Sequence, residues 1–114
     1  MAINLSTLVN QTNPVQLAKA WIRFNSSGTI LSSFNVSSFT INSTGNFTIN
    51  FTTATADANY AVQFMAQGTT SVSTYVLGSF GVSSSSTTSC SIFSGNTNAL
   101  AINPILGHVL IFGN

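Results

Sequence analysis

The chain has 114 residues, the length of one domain, and only 3% of them are charged. An average soluble domain is about 25% charged; here 18 Ser, 15 Thr and 13 Asn take the place of ions, while a hydrophobic share of 44% suffices for a core. A net charge of +1 gives no electrostatic footprint for nucleic acid or anionic lipid, the apolar share excludes a disordered polar tract, and one aspartate, one histidine and one cysteine exclude most catalytic constellations within one chain.

Residues 1–17 hold Leu5, Leu8, Val9 and Val15 among polar groups. The spacing of Leu5, Leu8 and Val9 allows one helical turn, which Pro14 ends. This segment reads as an N-terminal arm that docks on another protein. The first basic residue is Lys19, and polar residues interrupt the apolar ones before it, so no secretory signal is expected. From Ala18 the pattern changes to period two. Ala20, Ile22 and Phe24 point one way and Lys19, Trp21 and Arg23 the other, a strand with one core face. Asn25-Ser26-Ser27-Gly28 supplies turn chemistry, and Thr29–Val36 reads as a second strand.

Phe39 and Ile41 then alternate with polar residues, Ser43-Thr44-Gly45-Asn46 makes a turn, and Phe47, Ile49 and Phe51 alternate again. Two such runs around a short Gly-containing loop predict a β-hairpin. Further strands are expected at Tyr60–Met65 and Val72–Phe80, with a weaker one at Ser89–Phe93. The low-complexity stretch Ser83–Ser89 reads as a surface loop. Asn103-Pro104 turns the chain into a last strand, Ile105–Phe112. At eight positions this densest apolar run is far short of the roughly 20 needed by a spanning helix, and no membrane contact is expected. About eight short strands predict an all-β fold, an antiparallel β-sandwich or jelly roll, as one domain over residues 18–114.

The last strand does not alternate cleanly. Ile105, Leu106, Val109, Leu110, Ile111 and Phe112 offer apolar groups on both faces, and such a strand is covered on both faces. Two readings stay open: a well-buried strand within one domain, or a second cover supplied by another subunit. Lys19, Trp21 and Arg23 form one outward stripe. It is either a solvated face with basic stems packed over the indole or a contact surface, with Lys19 or Arg23 pairing Asp57 across a subunit boundary. The contact reading is preferred, because two of only three charged residues flank the only tryptophan.

Catalytic chemistry finds little support. Asp57, His108 and a serine could nominally make a triad, but no G-x-S-x-G elbow is present. Paired-carboxylate hydrolysis needs two acids. A metal site from Cys90, His108 and Asp57 needs three distant residues to converge. No catalytic, cofactor-binding or metal-binding residue is therefore expected. Cys90 reads as a small buried hydrophobe. The seven N-x-S/T sequons, at Asn4, Asn10, Asn25, Asn35, Asn42, Asn46 and Asn50, are the accidental product of composition.

Five phrases stand together in order: Ala18-Lys19-Ala20-Trp21-Ile22-Arg23-Phe24-Asn25, Ser33-Phe34-Asn35-Val36-Ser37-Ser38, Gly45-Asn46-Phe47-Thr48-Ile49, Asn50-Phe51-Thr52-Thr53 and Asp57-Ala58-Asn59-Tyr60-Ala61-Val62. Over roughly 45 residues they resemble a module of bacteriophage and prophage virion proteins of the tail-fibre type. The resemblance implies a structural protein of a tailed-phage virion, made in the host bacterial cytoplasm and assembled as a homotrimer. Read as complete from Met1, the chain carries the module and a short arm. That raises a second expectation, a capsid decoration (cement) protein reinforcing the shell as trimers. Expected partners are further copies of the chain, other virion proteins through the arm, and a host surface glycan. Trp21, Tyr75 and Phe93, beside amides and hydroxyls, have the chemistry for sugar without singling out a site.

Overall fold

The period-two pattern that starts at Ala18 becomes β1 (Ala18–Asn25). The computed structural model describes residues 18–68, 77–96 and 101–113. After β1 come β2 (Ile30–Phe34), β3 (Val36–Ser43), β4 (Asn46–Phe51), β5 (Ala61–Gln67), β6 (Leu77–Ser85), β7 (Ser89–Asn96) and β8 (Leu106–Phe112). All pairings are antiparallel, and they build two four-stranded sheets. Sheet A runs β2-β1-β8-β5 and sheet B runs β3-β4-β7-β6. The two sheets pack as a β-sandwich, as the spacing of short alternating strands predicts.

Alternation decides what lies between the sheets. Ala20, Ile22 and Phe24 of β1, Phe47, Ile49 and Phe51 of β4, Cys90 and Ile92 of β7, and Val109 and Ile111 of β8 are buried. A strand turns successive side chains to opposite faces, so each of these strands gives one set to the core. Phe24 is the hub: its ring stacks on Phe39 with centroids 4.3 Å apart and tilts against Phe47 at 5.4 Å and Phe64 at 6.3 Å. Directly across from Phe24 on β8 stands Gly107, and the Phe24 ring occupies the space where a side chain at 107 would be.

The turn after β1 forms as its residues predict. Asn25 Oδ1 accepts hydrogen bonds from the Ser27 and Thr29 amides, each at 3.0 Å, and Gly28 takes φ 81°. The β3–β4 hairpin also follows the expected register, with Phe39 opposite Ile49 and Ile41 opposite Phe47. The strand expected over Thr29–Val36 is two strands in different sheets. Asn35 breaks it at φ 56°, a conformation that Asn tolerates better than most residues. Its side-chain amide donates to Lys19 O at 2.9 Å and Thr53 O at 3.0 Å, and its Oδ1 accepts from Thr53 N at 2.7 Å. The residue that turns the chain from sheet A into sheet B is therefore fastened to β1 and to the segment that follows β4.

The loop expected at Ser83–Ser89 is also corrected. Ser83, Ser84 and Ser85 belong to the edge strand β6, where Ser84 and Ser85 pair with Ser91 and Cys90 of β7 and Ser83 stands at a shift of register, and only residues 86–88 turn. A backbone ladder needs no side-chain pattern, so the serine run concealed it. Asn103-Pro104 leads into β8 as expected, with Pro104 buried. The start of the strand expected at Val72–Phe80, through residue 76, lies outside the described residues, and so does the 1–17 arm. The first residue of β1, Ala18, and the last of β8, Phe112, are cross-strand partners.

Candidate functional site

The same alternation that fills the core sends a second set of side chains outward from sheet A. From β1 these are Trp21 and Arg23; from β8 they are Leu106, His108, Leu110 and Phe112. The register aligns them across the sheet. One row reads Phe34, Trp21, Leu110, Gln63, and the next reads Ser32, Arg23, His108, Met65. Phe34 is 53% exposed and Met65 65% exposed. Trp21, Leu106, Leu110 and Phe112 are half-buried, whereas Arg23 and His108 are exposed. Among the described residues nothing covers this face. A shallow cleft of about 420 Å³ runs across it, with Trp21 and Leu110 as apolar walls and Arg23, Ser32 and His108 as polar groups.

The outer face of sheet B has another character. Asn42 Nδ2 donates to Thr48 Oγ1 at 2.7 Å, Thr48 and Ser91 hydroxyls share a hydrogen bond at 3.0 Å, and Asn50 Nδ2 donates to Ser38 Oγ at 3.0 Å. Its polar groups satisfy one another across the strands, and Phe93 lies over Gly81. Sheet A thus presents hydrocarbon with the exposed Arg23 guanidinium and the His108 ring, and sheet B presents hydroxyls and amides already bonded to each other.

The structure sorts the expected site residues. Trp21, Arg23, Leu106, Leu110 and Phe112 share the outer side of sheet A, whereas Lys19 stands at the shift of register between Ala18 and Ala20 and lines a neighbouring cleft with Phe34 and Thr53. Val109 and Ile111 are 1% exposed and belong to the core, so alternation takes them out of any contact set. Ile105 precedes β8 and donates its amide to Gln67 O at 2.8 Å. Asp57 lies off the face, in the connection between β4 and β5, where its Oδ1 accepts the Asn59 amide at 2.8 Å. Phe34, Met65 and His108 complete the face, and sequence reasoning missed them. Each sits beside Trp21, Leu110 or Arg23 only through strand register, which no spacing along the chain reveals.

Cys90 is buried in β7 of sheet B, whereas His108 is exposed on sheet A and Asp57 is in a loop, so the three do not converge. Among the described residues no group of three metal-ligating side chains comes together. Burial pushes the Cys90 thiol up from its ordinary value. Burial likewise raises Tyr60, with the neighbouring Cys90 adding to it. The Tyr60 hydroxyl stands 2.9 Å from both Ser86 O and Ser89 O, which makes it an anchor of the β6–β7 turn. Trp21 and Phe93 lie on opposite outer faces and Tyr75 lies outside the described residues, so the aromatic candidates for sugar binding do not form one platform. Compared with protein-family models, with curated proteins and with solved structures, the chain matches none.

Proposed function

We propose that this protein is a structural, non-enzymatic component of the surface of a tailed bacteriophage virion, a tail-fibre-type module for adhesion and assembly that associates as a homotrimer. The observation that carries the reading is the outer face of sheet A. It sets Phe34, Trp21 and Leu110 in one cross-strand row and Met65 in the next, with Phe34 and Met65 exposed, on a chain with 3% charge. So little charge leaves little repulsion between copies, and hydroxyls and amides are buried against a neighbour at less cost than ions. The five ordered phrases between Ala18 and Val62 supply the virion context. Residues 1–17 are the segment that joins other virion proteins, and synthesis is in the host cytoplasm.

Sedimentation equilibrium of the purified chain, together with copy counting on particles purified from the producing host, tests this reading. A trimer present in tens of copies per particle is the expected result. Hundreds of copies would move the assignment to capsid decoration. A chain that stays monomeric at every concentration and is absent from particles overturns the reading.

A further inference from the structure

Both basic residues of the chain lie in β1 and its only histidine is the cross-strand neighbour of Arg23, whereas its only acid sits on the loop between β4 and β5. We propose that the cleft on sheet A is filled by the Asp57 loop of a second copy, not by the same face of that copy. The inference rests on the self-association reading above and specifies which surface meets which.

Face-to-face stacking sets the Arg23 guanidinium of one copy against a face that carries no acid, so its charge finds no opposite partner there, and like-charge juxtaposition at an interface is costly. The Asp57 loop carries the complementary chemistry. Ala56 and Ala58 flank the carboxylate and are exposed, as is Ala54. Their methyl groups offer apolar contact without side-chain entropy to lose. The loop is also held in place before any partner arrives. Thr55 is buried, its amide donates to Thr87 O at 2.8 Å and its hydroxyl to Asp57 O at 2.7 Å. Tyr60 fastens the other end against the β6–β7 turn. A preordered tip loses little freedom on docking.

The receiving cleft matches it part by part. Trp21 and Leu110 meet the alanine methyls, and the Arg23 guanidinium, with Ser32 and His108 beside it, meets the carboxylate in a charge-assisted hydrogen bond. A carboxylate has about four acceptor positions, so it accepts from the Asn59 amide and from other donors at once.

Light scattering and sedimentation equilibrium on the full chain, with R23D, D57R and the R23D/D57R double variant, test the pairing. Circular dichroism melting monitors each fold. Each single reversal is expected to weaken association by about tenfold or more, and the double variant to recover most of that loss. A D57R chain that associates as tightly as the natural one, or a double variant weaker than both singles, overturns the proposal. If a reversal does not fold, R23Q and D57N make the same comparison. The expected result is then a double variant no weaker than the worse single; additive losses overturn the pairing. A natural chain that never associates overturns the self-association reading itself, a result distinct from these.

Discussion

Gly107→Ala is the sharpest test of the core as described. The added Cβ falls 2.6 Å from Phe24 Cε1 and 2.7 Å from Cε2, and closer still to Cζ. The Phe24 ring has no free direction to retreat, because Phe39 stacks on it at 4.3 Å and Phe47 stands at 5.4 Å. Overpacking of this kind costs about 1–3 kcal/mol, and each aromatic pair disturbed forfeits about 0.5–1.5 kcal/mol more. A loss of about 3 kcal/mol is expected, which for a chain of this size lowers Tm by about 10 °C. Urea unfolding followed by Trp21 fluorescence at fixed protein concentration measures it. Phe24→Leu alone should cost less than the roughly 3–5 kcal/mol of a Phe→Ala truncation. Because it removes the atoms in the way, G107A/F24L should fall short of the summed losses by at least about 1 kcal/mol. A G107A protein within about 0.5 kcal/mol of the natural one, or strict additivity in the double variant, refutes the close approach of ring and backbone.

Asn35→Ala should cost about 3 kcal/mol, from the left-handed conformation at position 35 and the lost amide bonds; Asn35→Gly, which tolerates that conformation, should cost about 1 kcal/mol less. Tyr60→Phe should cost about 1 kcal/mol through loss of the hydroxyl's hydrogen bond to the β6–β7 turn, read by the same denaturation. Met65→Ser should leave monomer stability within about 0.5 kcal/mol, since the side chain is 65% exposed, yet weaken self-association in sedimentation; unchanged association would remove Met65 from the contact face. Cys90 and Tyr60 both hold their protons longer folded than unfolded. Their contribution is therefore fully present below the unfolded values of 9.0 and 10.0 and is lost as pH rises through the folded ones. Stability measured at pH 8, 9.5 and 10.5 should fall across the series, with a smaller fall in Cys90→Ala, and a flat profile would contradict the burial of both groups.

What the sequence discloses here follows from how local each determinant is. β1 and the β3–β4 hairpin are legible because their alternation and the turns at Asn25–Gly28 and Ser43–Asn46 lie within a few residues of one another. The break at Asn35 is not, because the chain on either side is equally strand-like, and the groups that hold the bend, Lys19 O and Thr53 O, are distant in sequence. Ser83–Ser85 reads as loop because an edge strand with a serine run is defined by its neighbour's backbone alone. The stripe of Trp21 and Arg23 is legible within one strand. Its extension to Phe34, His108 and Met65 depends on which strands lie side by side, and in a sandwich with order β2-β1-β8-β5 that arrangement is set by pairing across the whole chain.

The pairing of Ala18 with Phe112 places the two ends of the sandwich within about 5 Å of each other. A unit whose ends meet behaves as a bracket: it can sit in a loop of another chain with little distortion of its host, and both tethers leave from one pole. The same arrangement sets its mechanical weakness. Tension applied between the two ends peels β1 from β8 one hydrogen bond at a time. A load carried from residue 18 into the broad side of sheet A is instead shared by bonds in several strands. The sandwich is thus suited to bear force through its flank while both of its ends remain at a single anchor.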